Sequence, residues 1–297
     1  MSLFSLFFDN LSTLLGFAGS ILGLMGALNH PEGQDLLTEI LFQRIVPACG
    51  IMLFVGNAYY SYQAIRLTKE KGHPYTAQPY GLNTSGGFPF IYGIIYSVFF
   101  GYQGCTSNYM CTGDDGELFP CCSPEEEVDR IEVAWKVCVT ANFITGIINI
   151  VLGFFGELLL SYFPVAAMLV PLAGIGFTWL AINQIAANWA NPIIGLIPVY
   201  LIFTQYYGLG RIHVCKGFYL PEAVPIVAFG CIAGWAYGTQ DDVADTVKGG
   251  AWAGIAFLEG FDDIGDYIGT VLPFSIAASF GDIMCLVSAN KAGDPFP

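Results

Sequence analysis

Long apolar runs separated by short polar connections dominate the chain. A membrane-spanning helix needs about 20 mostly apolar residues. Eight candidate segments follow that pattern, at residues 3–28, 42–66, 76–104, 133–155, 160–184, 191–208, 219–238 and 265–290. The pattern therefore predicts an all-α polytopic membrane protein with about eight transmembrane segments.

The third segment differs from the others because it opens with TAQPYGLNTSGGFPF, a stretch rich in proline, glycine and polar residues. Its uninterrupted apolar part, Phe88 to Gly101, spans only about 21 Å at 1.5 Å per residue, against a hydrocarbon core of about 30 Å. Extended backbone is tolerated at that depth only beside other protein or a wet cavity. We predict a half-helix preceded by an extended stretch that borders a solute site, with a re-entrant loop without a ligand as the alternative.

The polar connections differ in charge on the two sides of the predicted membrane. If the segments alternate, six of the ten Lys and Arg residues share one side: Arg66, Lys69, Lys71, Arg211, Lys216 and Lys291. By the positive-inside rule, that side and the N-terminus are cytoplasmic. Eighteen of the 24 acids fall on the opposite side, where a solvated acidic face is the simplest interpretation.

Composition supports the same class and excludes others. Charged residues are 11% of the chain, against about 25% in soluble domains, and the mean hydropathy is +0.59. We expect a multi-pass integral protein of the plasma membrane or an organelle membrane, with the lipid bilayer as a partner. A net charge of −14 argues against nucleic-acid binding. Hydrolase, kinase and dinucleotide motifs are absent, so we expect no enzyme, no cofactor and no resident metal.

Four cysteines cluster in the long loop between the third and fourth segments, on the predicted outer side, where disulfides are allowed. The candidates for disulfides are Cys105, Cys111, Cys121 and Cys122. Adjacent Cys121 and Cys122 make poor partners for each other, and the other pairings stay open. A zinc site is the less favoured alternative, because this loop contains no histidine and its cysteine spacing is irregular.

Polar side chains inside apolar segments are functional candidates because they are costly to bury in a membrane. Asp282 in segment eight is the main candidate, as a coupling or network group, since burial disfavours the charged form of a carboxyl group. Asn57 and Asn142 fit interhelical hydrogen bonding and solute contact about equally well.

Several motifs together resemble one family. FFDNLSTLLGF, GNAYYSYQAIRLTKEKG, TAQPYGLNTSGGF and ASFGDIMCLVSANKAGD, in this order, are similar to the xanthine/uracil permease branch of the nucleobase/ascorbate transporters. The resemblance implies fourteen segments in two inverted repeats of seven. Segments one to four and eight to eleven would form a core domain, and the other segments would form a gate. A proton or sodium gradient would drive transport.

On this resemblance, residues 1–238 form the first repeat, with core segments in 1–155 and gate segments in 160–238. Residues 239–264 form an acidic outer loop, and residues 265–297 hold the first segment of the second repeat. Because the chain stops there, we expect a fragment, a truncated relative, or two complementing halves, as in a homodimer. The family's solute-binding acid on segment eight would fall at Ala278, or at Val287 in another alignment, and Asp282 could substitute for it.

These features predict a secondary transporter that moves a small planar or anionic solute by alternating access. Backbone N–H groups from Gly86 and Gly87 to Phe88 would meet solute oxygens. Either Tyr80 or Phe88 would stack on a ring. The side chains expected to hydrogen-bond the solute are those of Gln78, Asn83 and Thr84. An anion carrier or channel of the same fold is one alternative, and a transport-incompetent membrane protein that acts through a partner is the other.

Overall fold

The structure is a computed structural model that describes most of the chain. The described residues are 3–77, 81–82, 84–105, 109–113, 115–162, 192–204, 213–215, 218–219, 223–236 and 256–291, with isolated positions between 170 and 189. They are mostly helical, and their few strands form two short antiparallel pairs. The predicted predominance of helix is therefore confirmed for the described part of the chain.

The first two predicted segments form long helices. The elements are α1 (Leu3–Leu22), a 3-10 turn (Gly23–Ala27), α2 (Pro31–Glu39), a π-helical turn (Ile40–Ile45) and α3 (Val46–Lys71). Pro31 suits the first turn of α2, where a helical N–H has no partner in any case. Gly72 ends α3 with φ 73°, a left-handed conformation that glycine adopts without steric cost.

The third segment is helical from α4 (Thr84–Pro89) through a π-helical turn (Phe90–Ile95) to α5 (Tyr96–Gly101). Pro89 and Ile95 keep right-handed helical dihedrals, so the three pieces form one helix, which we call the short helix. It begins at Thr84, four residues before the predicted start near Phe88. Packing of its glycine-containing first turn against α1 overrides the low helix propensity of glycine.

A hairpin follows the short helix, and we call it the outer hairpin because the sequence predicts that its loop lies on the outer side. Strands β1 (Tyr109–Thr112) and β2 (Leu118–Cys121) pair antiparallel, with Cys111 opposite Phe119. Gly116 adopts φ 81° in the connecting turn. The next element, α6 (Pro124–Tyr162), is 39 residues long and carries three acidic residues in its first turn, where they complement the helix dipole.

The remaining described elements lie towards the C-terminus. They are α7 (Pro192–Ile202), β3 (His213–Cys215), β4 (Phe218–Tyr219), α8 (Ala223–Ala236), α9 (Ala256–Glu259) and α10 (Ile264–Lys291). Most of the predicted fifth segment, 160–184, lies outside the described residues.

The chain divides into two compact units. The first comprises residues 1–16 and 176–248, and in it α7 packs against α8. The second comprises residues 17–175 and 249–297. In this second unit α6 contacts α2, α9, α10 and the short helix, and α10 also contacts the short helix.

The described residues include two helices that are long and apolar enough to cross a membrane, Pro31–Lys71 and Pro124–Phe155. Three shorter apolar helices accompany them, Thr13–Ala27, Gly86–Gly101 and Val224–Ala236. These helices give weak support for a membrane protein, by length and composition alone. The eight-segment count and the inverted repeat stay predictions.

Glycines let the short helix approach its neighbours closely. A Cβ atom built on Gly87 would overlap the ring of Phe17 on α1, and one built on Gly93 would overlap the ring of Phe274 on α10. Small residues at helix contacts serve this purpose in membranes, where packing rather than the hydrophobic effect drives association. The short helix is thus fixed against two helices of its unit by contacts that only glycine permits.

We expect Gly93→Ala to destabilise the protein by about 1–3 kcal/mol, because the added methyl group forces the Phe274 ring out of its packed position. Thermal unfolding of the detergent-solubilised chain measures the effect. Gly146→Ala in α6 is the matched control, since a Cβ at Gly146 meets open space. Equal unfolding midpoints for the two variants would contradict this packing, and Phe274→Leu should partly rescue Gly93→Ala.

Candidate functional site

The predicted solute-binding stretch is only partly within the described residues. Gln78, Tyr80 and Asn83 lie outside them. Thr84 opens the short helix, Gly86 is buried, and Gly87 is half-buried beneath Phe17. The first four N–H groups of a helix have no intrahelical acceptor, and in the short helix these belong to residues 84–87.

Phe88 occupies a packed position. Its side chain is 3% exposed, and its ring meets that of Phe17 edge-on, with ring centroids 4.8 Å apart. It lies parallel to the Tyr92 ring at a centroid distance of 6.4 Å. Phe88 is also the fifth residue of the short helix. Its N–H group is therefore the first for which a helix provides a carbonyl acceptor four residues earlier. In this arrangement Phe88 anchors the helix.

Two tyrosines tie the short helix to α1. Tyr92 donates its hydroxyl hydrogen to Ser20 Oγ at 2.8 Å, and Tyr96 donates to the Ser20 carbonyl oxygen at 2.7 Å. Ser20 is buried. The sequence analysis did not single out these residues, although tyrosines four apart in an apolar helix are a usable signal because each buried hydroxyl needs a partner.

Asp282 on α10 pairs with a residue that the sequence analysis missed. Asn149 on α6 donates from Nδ2 to Asp282 Oδ2 at 2.9 Å, and both side chains are half-buried. Asn149 lies within the apolar run GIINIVLG, so the rule that selected Asn57 and Asn142 could have selected it too. The pair joins the fourth and eighth predicted segments.

Small polar side chains continue this helix contact. Ser275 donates to the Ala141 carbonyl oxygen at 3.4 Å, and Ser279 donates to the Ser275 carbonyl oxygen at 2.9 Å. Both serines are fully buried, and Ala278, which lies between them in sequence, is 3% exposed. The position that the resemblance assigns to a solute-binding acid is therefore a packed alanine.

Asn57 has a different environment. It lies on an exposed part of α3 and donates from Nδ2 to the Leu53 carbonyl oxygen, one turn earlier, at 2.8 Å. Large apolar neighbours on α3, among them Phe54 and Tyr62, are also exposed. Local bonding of this kind satisfies an amide on a helix surface.

A second polar cluster lies at the outer hairpin. Glu127, counted above among the acids of a solvated face, is 1% exposed, so that expectation is wrong for this residue. Its Oε1 atom accepts the Asn29 N–H at 2.8 Å. Its Oε2 atom is buried, has no hydrogen-bond partner among the described residues, and lies 3.8 Å from His30 Nε2.

Two disulfides hold this outer cluster together. They join Cys105 to Cys122 and Cys111 to Cys121, so each adjacent cysteine has a distant partner. His30 donates from Nε2 to the Cys122 carbonyl oxygen at 3.0 Å, and its ring contacts Tyr109 on β1 at a centroid distance of 5.2 Å. His30, in the connection before α2, therefore contacts the hairpin. This contact places a histidine next to the cysteines.

Arg130 on α6 caps the outer end of the short helix. Its Nε donates to the Phe99 carbonyl oxygen at 2.6 Å, and its guanidinium carbon lies 3.5 Å from the centre of the Phe99 ring. A cation at a helix C-terminus is favoured by the dipole. Nearby, Tyr102 donates a hydrogen bond to Asp129.

The chain matches no family model, no curated protein and no solved structure.

We expect Arg130→Met to destabilise the outer end of the short helix by about 1–3 kcal/mol, because it removes a charge-assisted hydrogen bond and a cation–π contact. Hydrogen exchange of residues 96–102 and thermal unfolding report the loss. Arg66→Met is the control, since Arg66 forms an exposed pair with Glu70 four residues away, and such pairs contribute little. If both variants behave alike, Arg130 is not the cap described here.

Proposed function

We propose that this protein is a secondary transporter that moves a small planar or anionic solute, of nucleobase type, by alternating access. The observation that carries the proposal is the contact of the short helix with α10, beside the Asn149–Asp282 pair that joins α6 to α10. Discontinuous helices whose N-terminal ends face the substrate form the solute sites of many secondary transporters.

The grouping of elements supports the proposal. The short helix, α6 and α10 belong to the same compact unit, whereas α7 and α8 belong to the other. The xanthine/uracil permease resemblance expects the third, fourth and eighth segments in a core domain and the sixth and seventh in a gate. The proposal uses this grouping for these elements, while residues 1–16 of the first predicted core segment fall in the other unit.

The Asn149–Asp282 pair is the proposed coupling group. A half-buried carboxyl group within an apolar helix is energetically costly when it is ionised. Such a group is therefore a candidate for a functional role. Asn149 holds the Asp282 carboxyl group by a hydrogen bond of 2.9 Å. In this proposal Asp282 binds and releases a proton, or a sodium ion, during transport.

The proposed solute site lies at the N-terminal end of the short helix. The positive end of the helix dipole there favours anionic or carbonyl-rich solutes. Gln78, Tyr80, Asn83 and Thr84 stay the proposed side-chain contacts. Phe88 has a supporting role in this proposal, since it packs on Phe17. The buried alanine at Ala278 also suits the alternative anion carrier, because an acid there would repel an anion.

Proteoliposomes containing the full chain provide the test. Radiolabelled uracil and xanthine are the probes for the main proposal, and chloride and sulfate are the probes for the anion alternative. Gradient-driven uptake of a nucleobase is expected. Flux of chloride or sulfate without nucleobase competition would favour the anion carrier, and no flux of any probe would favour a chain that acts through a partner.

We expect Asp282→Asn to lower gradient-driven uptake by about 10- to 100-fold, corresponding to the loss of one hydrogen bond to a charged group. Solute counterflow, which needs no driving ion, should persist because the solute contacts remain. Asn149→Ala should behave similarly.

Asn142→Ala is the matched control, since Asn142 is an exposed residue of the same type on α6. Gradient-driven uptake by Asp282→Asn at the level of Asn142→Ala would refute the coupling role. Unchanged transport in Gln78→Ala and Asn83→Ala would refute the solute site.

A further inference from the structure

We propose that the outer hairpin contains a redox-gated zinc site. Two-electron reduction of the Cys111–Cys121 disulfide would free two sulfur ligands, and His30 and Glu127 would complete a four-coordinate site. The site is independent of the transport proposal, because its residues lie in the outer cluster rather than at the Asn149–Asp282 pair.

The ligand atoms already lie together. His30 Nε2 and the sulfur atoms of Cys111 and Cys121 are all within 4.8 Å of one another, with Nε2 4.0 Å from Cys111 Sγ. The two cysteines are diagonal neighbours in the hairpin ladder, since Cys111 pairs with Phe119 and Cys121 with Tyr109. Both sulfur atoms therefore lie on the same face of the outer hairpin, and this face contacts the connection that contains His30.

Glu127 supplies an independent reason to expect a cation. Its Oε2 atom is buried on a side chain that is 1% exposed, and it has no hydrogen-bond partner among the described residues. A buried carboxylate oxygen without a partner is costly, and a metal ion is one of the few groups that would satisfy it. This oxygen lies 3.8 Å from His30 Nε2, the nitrogen that also approaches Cys111.

The distances from His30 Nε2 to Cys111 Sγ and to Glu127 Oε2, 4.0 and 3.8 Å, are close to those between ligands of tetrahedral zinc. Standard zinc bond lengths place a nitrogen and an oxygen ligand about 3.4 Å apart, a sulfur and a nitrogen about 3.6 Å apart, and two sulfurs about 3.8 Å apart. His30 must therefore approach Cys111 and Glu127 by less than about 0.5 Å each. The cysteine Cα atoms are 5.8 Å apart, which leaves room for the sulfurs to separate once their bond is broken.

The chemistry balances with a dithiol as the reductant. The dithiol gives two electrons and two protons to the Cys111–Cys121 bond and becomes a disulfide, while the two cysteines become thiols. Zinc then displaces both thiol protons. His30 releases its Nε2 proton to water, takes one at Nδ1, and gives up its hydrogen bond to the Cys122 carbonyl oxygen. Two protons are released for each zinc ion bound.

Charge also favours the arrangement. Zinc with two thiolates and one carboxylate carries a net charge of −1. Arg130 lies on the same side of α6 and interacts electrostatically with Glu127, so a cation is present to offset that charge. Its Nη1 atom is 3.8 Å from Cys122 Sγ, which places the guanidinium group at the edge of the cluster.

The test uses the full chain in detergent, with Co²⁺ as a spectroscopic probe and Zn²⁺ as its competitor. One sample keeps its disulfides, and the other is reduced with a phosphine, which takes its oxygen from water and is then removed. The reduced chain should bind one Co²⁺ with thiolate-to-cobalt charge-transfer bands, which Zn²⁺ abolishes. The disulfide-bonded chain should show no such bands.

Two conservative variants separate ligation from folding. Glu127→Gln and His30→Gln should each weaken Co²⁺ binding more than about tenfold, as expected when metal-site residues are changed. The double variant Cys105→Ser with Cys122→Ser is the control and should keep the site. Size-exclusion chromatography of the oxidised proteins checks their fold.

The absence of thiolate bands in the reduced chain would overturn the proposal. So would Co²⁺ binding that is unchanged in both Glu127→Gln and His30→Gln. Loss of binding in the Cys105 and Cys122 double variant would also overturn it, because the ligands would then be the other pair of cysteines.

Discussion

The close packing of the short helix, Thr84–Gly101, is the constraint on which the second unit depends. At 1.5 Å per residue this helix is about 27 Å long, slightly less than a bilayer core of about 30 Å, so contacts with neighbouring protein help to hold it. Glycines at 87 and 93 let Phe17 and Phe274 approach its backbone. Two tyrosine hydroxyls bond to Ser20, and Arg130 caps its final carbonyl groups. These contacts fix both ends of the helix.

The same packing determines what can lie beside the helix. Because α10 contacts both the short helix and α6, Ser275 of α10 meets the Ala141 carbonyl group of α6, and Asp282 meets Asn149. A carboxyl group placed between two helices can respond to an ion only if its partners tolerate both of its charge states. An asparagine amide, with one donor group and one acceptor, suits that requirement. The proposed transport mechanism follows from this pairing.

Sequence periodicity and length could predict the helices but not their exact ends. The start of the third helix was placed at Phe88 because glycine and proline disfavour helices, yet packing against Phe17 extends it back to Thr84. Asp282 could be selected as a polar residue in an apolar run. Its pairing with Asn149 could not be predicted, because the two residues are 133 positions apart and meet only when their helices pack. Candidates at Gln78, Tyr80 and Asn83 stay predictions.

The outer cluster shows why distant contacts escape sequence reasoning. The cysteine loop contains no histidine, which in the sequence argues against a metal site. Folding nevertheless places His30, from another connection, next to the cysteines. Glu127 resembles its acidic neighbours in sequence and is nevertheless buried. The composition of the cysteine loop describes that loop alone. The proposed metal ligands come from three elements that become neighbours only in the folded chain.

Solute protection of the helix entrance tests the central claim most directly. Thr84→Cys would be introduced into a chain whose cysteines outside the outer disulfides are replaced by serine, and the chain would be reconstituted in proteoliposomes. The account predicts that a small thiol reagent modifies this cysteine and that a transported nucleobase slows the modification. Modification at the same rate with and without the transported solute would contradict the account.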